Sequence, residues 1–285
     1  MINLNAYQLT PAEKLALERY LQPVGSDLAL DQLWKLMDQA WLDYACDNRR
    51  PDPKRLAAFY RDPVWLLNGI FIEQHDLSMR QRHSIAKYIA ALMPKRVIDF
   101  GGGFGTLARL LAQQCPASQI DVCEPFPPEH GVQSCQPFAN IRFVSTLDKH
   151  NYDVLVSTDV LEHVLDPLDL LVQMIESVKP GGHLIIANCF YPVIFCHLPS
   201  TFHLRYSFDK ICCALGLELI GPCHGSHAIV YRRVHFATPD WPKVRKMERQ
   251  SKSLFPWRDG LSKLIAFPRR LLKSILAPFL KKRSK

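Results

Sequence analysis

The stretch Val97-Ile98-Asp99-Phe100-Gly101-Gly102-Gly103-Phe104-Gly105-Thr106 constrains this chain more than any other part of it. An apolar run ends in an acid, four glycines fall within five positions, and an amphipathic pattern begins. Glycines crowd where a backbone must turn through conformations that other residues avoid, or where another molecule comes close to it. A strand, a glycine loop and a helix in succession are the setting of a nucleotide-binding turn. Counting positions excludes two versions of that turn. A dinucleotide fingerprint needs Gly-x-Gly-x-x-Gly or Ala, and counted from Gly101 its last position is Thr106. A P-loop needs Gly-Lys-Ser/Thr, which is absent. What stands here is Asp99-x-Gly101-x-Gly103-x-Gly105.

Around this loop, short apolar runs alternate with helical patterns. Strands are expected at 96–100, 119–123, 141–144, 153–157, 182–188, 216–220 and 228–235, with helices at 105–114, 166–178 and 207–215. Strands separated by helices predict an α/β fold: a seven-stranded, mostly parallel Rossmann-like sheet with helices on both faces. Pro180-Gly181-Gly182 reads as a turn before the fifth strand. Ligands of such sheets bind beyond the carboxyl ends of the strands, at the switch point of strand order. Three strand ends meet there. Asp99 closes the first, Glu124 follows the second, and Thr158-Asp159 follow the fourth. An acid about twenty residues past the glycine loop can accept hydrogen bonds from both hydroxyls of a ribose, and it would repel a 2′-phosphate.

The combination of Asp-x-Gly-x-Gly-x-Gly, Glu124, Asp159-Val160-Leu161-Glu162-His163-Val164 and Lys179-Pro180-Gly181-Gly182 resembles class I S-adenosylmethionine-dependent methyltransferases over residues 90–237. The resemblance implies S-adenosyl-L-methionine as cofactor. Asp99, Gly101, Gly103 and Gly105 would lie against its methionine moiety, Glu124 would hold the ribose, and Thr158 and Asp159 would flank it. One departure stands out: Ile141 to Thr146 lacks the acid that usually meets the adenine amino group, leaving the backbone of Ser145 or Thr146 for that contact.

A hydroxyl acceptor needs a general base, and two histidines are candidates. His163 lies in an acid-x-x-Glu-His pattern similar to that of ubiquinone-type O-methyltransferases, where it is associated with a divalent metal; the alternative is local packing at the turn, and no metal ligands are assigned here. His203, in Thr201-Phe202-His203-Leu204-Arg205-Tyr206-Ser207, resembles a run placed over the acceptor pocket of relatives, the alternative being loop stabilisation. His197 is a lesser candidate for that pocket, and His227 reads as structural. Residues 62–73 would line the pocket or simply pack.

Residues 1–90 are expected to form a helical N-terminal cap, 91–237 the cofactor-binding core and 238–285 a basic amphipathic tail. Helical periodicity runs through 11–93, notably 26–46, with breaks at Pro51, Pro53 and Pro63. The charge is lopsided: residues 243–285 hold 14 Lys or Arg against Glu248 and Asp259, whereas the whole chain is +8, leaving about −4 for residues 1–242. A mildly acidic body speaks against nucleic acid as a partner. In 257–285, Leu261, Leu264, Ile265, Leu271, Leu272, Ile275, Leu276, Phe279 and Leu280 recur mostly at three- and four-residue spacing among basic residues, and Pro268 and Pro278 divide the stretch into short helices. Trp257 at one end completes the pattern of an interfacial helix, so an anionic membrane surface is the expected partner; docking on the protein's own body or on a second subunit is the alternative.

No apolar run is long enough to span a membrane, and the opening MINLNAYQLTPAEK has neither basic flank nor apolar core of a secretion signal. A cytoplasmic location, peripheral on the inner face of the membrane, follows, with the nine cysteines reduced. The expected function is methyl transfer to a small-molecule or glycan/lipid-linked acceptor, as in surface polysaccharide biosynthesis. The alternatives are a nicotinamide-dependent oxidoreductase and a non-catalytic membrane-associated scaffold with a degenerate fold.

Overall fold

The computed structural model describes residues 2–234 and 239–280, with side chains up to residue 263. Its centre is a sheet of seven strands: β1 (Arg96–Phe100), β2 (Gln119–Cys123), β3 (Ile141–Val144), β4 (Tyr152–Thr158), β5 (Val178–Ala187), β6 (Leu217–Pro222) and β7 (Ile229–Arg233). The order is β3-β2-β1-β4-β5-β7-β6, and only β7 runs antiparallel to its neighbours. The chain leaves β1 outward to β2 and β3, then returns to lay β4 on the other side of β1. The loops after β1 and β4 therefore diverge and leave a crevice between them.

Strand residues alternate faces, so the inner strands β1, β4, β5 and β7 bury apolar side chains in two layers. Ile98, Leu155, Leu184 and Ile186 face α8 (Pro167–Ser177) and α9 (Phe208–Ala214). Val97, Val154, Val156 and Ile185 face α5 (Asp76–Ala91) and α6 (Thr106–Gln114). The sequence reading placed α5 in the cap, but its Ile85, Ala86 and Ile89 pack on the sheet. A further helix, α7 (Glu129–Cys135), has no apolar period and was not anticipated.

Strand β5 begins earlier than expected. Val178 pairs with Tyr152, the register then shifts, and pairing resumes at Val154–His183. Gly181, at φ +79°, turns inside this irregularity, so Pro180-Gly181-Gly182 makes a bulge within the strand, not a turn before it.

The cap comprises α1 (Pro11–Leu21), α2 (Leu30–Asp43), α3 (Pro53–Tyr60) and α4 (Pro63–Gln74). Pro53 and Pro63, read as breaks, are the first residues of helices. Asp52 accepts hydrogen bonds from the Lys54 and Arg55 amides, and Asp62 from that of Val64. A proline is favourable at that position because its missing N–H is unpaired there anyway. Asp62 also accepts from Tyr20 Oη at 2.6 Å and Tyr44 Oη at 3.1 Å, tying three helices together. The cap core contains Phe104 of the glycine loop and Ile194, Cys196 and Leu198 of the loop after β5. Cap and sheet thus share buried residues around the crevice.

At the other end, α10 (Trp241–Leu280) runs unbroken past Pro256, Pro268 and Pro278, where short helices were expected. A proline inside a helix removes one backbone bond and bends the axis without obliging the helix to end. The expected strand end at 235, the core–tail boundary at 237/238 and residues 281–285 of the tail lie outside the described residues. Among the described residues all nine cysteines are unpaired, and no helix is long and apolar enough to cross a membrane.

Candidate active site

The glycine loop is shaped by what its glycines exclude. Gly101, Gly103 and Gly105 take φ of +71°, +49° and +69°, a region that costs other residues about 1–2 kcal/mol. A Cβ on Gly101 would lie 2.3 Å from Val160 Cγ2, on Gly102 2.8 Å from the Asp99 carboxyl, and on Gly105 2.6 Å from Cys135 Sγ. A Cβ on Gly103 would meet nothing within 4 Å. Three of the four glycines pack the loop tightly, and Gly103 opens onto the crevice.

The acids stand around that opening. Asp99 is 2% exposed, and its Oδ2 has no hydrogen-bond partner. Burial raises its carboxyl to about 7, with Arg82 opposing and Glu124 adding to the rise. Glu124 accepts from the Gly103 amide at 3.0 Å through Oε2 and from the Phe126 amide at 3.2 Å through Oε1. Beside β1, Ser157 Oγ is buried and unpartnered as well. Asp159 follows β4 at φ +55°, its side chain 44% exposed in a crevice walled by protein. Burial pushes its carboxyl up, but the hydrogen bond from His227 Nε2 at 3.1 Å and the charges of His227 and Arg82 hold it below the usual value. The same contact raises the His227 imidazole.

Arg82 was not anticipated. It projects from α5 into the same crevice, donates to the Ser78 carbonyl, and lies within electrostatic reach of Asp159, Asp99 and Glu73. The only signal for it in the sequence was a basic residue on the helix that leads into β1.

These residues suit S-adenosylmethionine. A buried, unpartnered carboxylate oxygen fits an ammonium donor, the Arg82 guanidinium fits a carboxylate, and Glu124 fits a ribose diol. Asp99, Gly103, Glu124 and Asp159 therefore stand together, while Thr158 is the half-buried last residue of β4.

Next to Asp159 lies a second cluster. Glu162 is fully buried in the turn after β4. Its Oε1 accepts from the Cys189 amide at 2.7 Å, and its Oε2 has no partner. Burial and the charge of Asp159 raise its carboxyl to about 8. His163 Nδ1 is 3.1 Å from the Cys196 carbonyl, and His197 Nδ1 is 2.7 Å from that of Tyr191. A carbonyl can only accept, so both rings carry their proton on Nδ1 and present a bare Nε2. Burial, then the neighbouring His197, lowers His163 to about 3, so its ring is neutral. Glu162, His163 and His197 each bring a ligand atom within 4.8 Å of the other two, a donor set that could hold a divalent cation. His197, which the sequence ranked low, is thus drawn to His163 by a loop.

The cap closes this cluster. Tyr60 and Trp65 set their rings edge-on to His163 at 6.3 and 6.2 Å, and Tyr60 Oη and Trp65 Nε1 are buried without partners. Both residues also line a cavity of about 360 Å³ together with Glu13, Arg61, Asp62 and Phe126. Phe126, in the lining of this cavity, is two residues beyond Glu124. Of residues 62–73, Trp65 lines this space, Asp62 caps its helix, and Glu73 pairs with Arg109 and accepts from Thr106 Oγ1.

His203 is placed elsewhere. It is 3% exposed beneath α10, where burial and Lys252 lower it to about 4 against the pull of Glu248. Its carbonyl accepts from Ser251 of α10, and Arg205 pairs with Asp259. The run around His203 forms the seat of α10.

Residues 74–210 match a protein-family model described as a methyltransferase domain. The ubiquinone biosynthesis O-methyltransferase of Vibrio cholerae serotype O1 is 28% identical over 132 residues, 44% of this chain and 54% of that protein. The Aliivibrio fischeri protein of the same description is also 28% identical, over 56% of its length. The chain spans about half the length of the curated relatives it matches. Two solved structures share its fold with a TM-score of 0.50. The CurJ carbon methyltransferase is 14% identical, covering 81% of this chain and 73% of that one. The Haemonchus contortus phosphoethanolamine N-methyltransferase 1, in complex with phosphoethanolamine and S-adenosylhomocysteine, is 12% identical and covers 82% and 56%.

Proposed function

We propose, from the methyltransferase-domain match over residues 74–210, that the protein is a class I S-adenosylmethionine-dependent methyltransferase and methylates a hydroxyl of a small-molecule or glycan/lipid-linked acceptor held between the cap and the sheet. The observation that carries this reading is the adjacency of two half-sites: Asp99, Gly103, Glu124 and Arg82 on one side of Asp159, and His163, His197 and Glu162 under Tyr60 and Trp65 on the other.

When bound, the cofactor supplies a methyl already activated by its sulfonium. The protein's work is alignment, which is worth up to ~7–11 kcal/mol where two reactants are held at attack distance. The Cys196 carbonyl fixes the His163 tautomer, so Nε2 is left to accept a hydrogen bond from the acceptor hydroxyl and orient it. Tyr60 and Trp65 exclude water and offer donors to the acceptor's other oxygens. A second reading is favoured by the three converging ligand atoms of Glu162, His163 and His197: a divalent cation there would orient the hydroxyl in place of the imidazole. The basic C-terminal segment supports a place of work on the inner face of the membrane, where a lipid-linked acceptor would be met.

Calorimetry with S-adenosylhomocysteine and with NAD, followed by transfer of labelled methyl into fractions of the source cell, tests the proposal. S-adenosylhomocysteine binding and a labelled small molecule or glycolipid are expected. NAD binding alone would overturn the methyltransferase reading, and binding of neither would favour a scaffold.

A further inference from the structure

Helix α10 has two faces. One is docked: Val244 is buried, Met247 packs with it on the core, and Ser251 donates to the His203 carbonyl. Farther along, Phe255 and Asp259 hold Arg205, and Ser262 bonds Tyr206 Oη at 3.0 Å. These residues recur at three and four, so they form a single stripe. Between them, turned away from the body, stand Leu254 (47% exposed), Trp257 (79%) and Leu261 (51%). They too are spaced by three and four, so they form a second stripe along the helix. No described residue buries them: each keeps about half or more of its surface exposed.

The sequence beyond says what would cover them. The same period continues through Leu264, Ile265, Leu271, Leu272, Ile275, Leu276 and Phe279, while the backbone stays helical to Leu280. From residue 263 onward there are eight Lys or Arg and no acid. An apolar stripe beside a purely cationic flank complements a surface that offers acyl chains under negative headgroups, with a Trp at the boundary. A second copy of the chain would bring eight like charges against eight.

We propose that Leu254, Trp257 and Leu261 are the first turns of a membrane-inserting face that lies on anionic phospholipid. Because that stripe begins on the clamped half of α10, the lipid holds the catalytic body through the Arg205–Asp259 latch and not through a loose tether. The proposal does not depend on methyl transfer, and the cofactor-free protein binds vesicles equally.

The test is flotation of the full chain with vesicles of phosphatidylcholine alone and of phosphatidylcholine with equimolar phosphatidylglycerol. The wild type floats only with the second, and high salt releases it. The Leu254→Asp/Leu261→Asp variant stays behind while its circular dichroism and S-adenosylhomocysteine binding are those of the wild type. Lipid brominated in the acyl chains quenches wild-type fluorescence more than that of Trp257→Phe. No flotation with phosphatidylglycerol overturns the proposal, as does unimpaired flotation of the double variant. A dimer in light scattering that the double variant abolishes also overturns it, in favour of a second copy. Loss of S-adenosylhomocysteine binding by the wild type with flotation intact would count against the proposed function alone.

Discussion

Replacing Glu124 by Gln removes a charge while keeping the shape of the side chain. Each Glu124 carboxylate oxygen accepts one backbone N–H, from Gly103 at 3.0 Å and from Phe126 at 3.2 Å. One lone pair per oxygen is left, enough for the two hydroxyls of a ribose. Glutamine has a single accepting oxygen. It can keep one amide and one hydroxyl, while its NH₂ faces the other amide donor to donor. Hydrogen bonds to a charged group contribute about 1.5–3 kcal/mol, so losing one ribose bond lowers affinity by about tenfold to somewhat over a hundredfold. Calorimetry of wild type and Glu124→Gln with S-adenosylhomocysteine reads this directly. The orphaned backbone amide costs a further ~1–3 kcal/mol in the unliganded protein, which a denaturant titration measures separately. Affinity unchanged within twofold, with the loop destabilised as expected, would refute the ribose role and leave Glu124 a loop brace.

Three further outcomes are expected. S-adenosylhomocysteine affinity rises with pH up to about 7 and then levels, because Asp99 must lose its proton to meet the ligand's ammonium, and its carboxyl is raised to about 7 in the free protein; Asp99→Asn should abolish the slope, which reaches about tenfold per pH unit below the plateau. For folding the sign is opposite: a raised carboxyl contributes stability that is present below its unfolded value of 3.8 and lost as pH rises to about 7, so denaturant stability of the free protein should fall over that window and fall less in Asp99→Asn. Gly101→Ala sets a methyl 2.3 Å from Val160 Cγ2 at φ +71°, and Val160→Ala in the same chain should recover the clash but not the ~1–2 kcal/mol of backbone strain, a non-additivity seen in a double-mutant cycle. Arg205→Ala removes a guanidinium stacked on Tyr191, Tyr206 and Phe255 at 4.6, 5.1 and 4.8 Å and leaves Asp259 unpaired; amide exchange over residues 241–262 should quicken at least tenfold while that of β1 and β4 is unchanged, from losses of about 0.5–1 kcal/mol per ring.

The parts of this protein that could be read in advance are those governed by short-range rules. β1, β2 and β3 begin and end where their short apolar runs do, because the apolar residues of a strand must reach the core on alternate positions while turns flank the run. The glycine loop, Glu124 and Asp159 were legible because they terminate such strands. Pro53 and Pro63 misled, since a proline signals both the end of one helix and the start of the next, and only the preceding Asp52 and Asp62 decide between them. Helix α7, Glu-His-Gly-Val-Gln-Ser-Cys, carries no period at all and is held by its contacts with α6 and β3. Arg82, His197, Tyr60 and Trp65 reach the crevice from four separate elements, a convergence that spacing along the chain cannot express. His203 sits in a run that resembles an acceptor-pocket segment, yet here α10 has claimed that ground.

One consequence concerns how a protein like this changes its trade. The matched domain begins at residue 74, the last residue of α4, and ends before α10. Its border therefore passes through the cleft itself. Asp99, Glu124 and Asp159 lie within it, whereas Tyr60 and Trp65 lie outside. On the proposed reading, the wall that would meet the methyl donor and the lid that would meet the acceptor are separable pieces of chain, joined at Phe104. A new lid on the old wall would yield a new substrate without disturbing the donor, so relatives that share only the wall are guides to the reagent and not to the product.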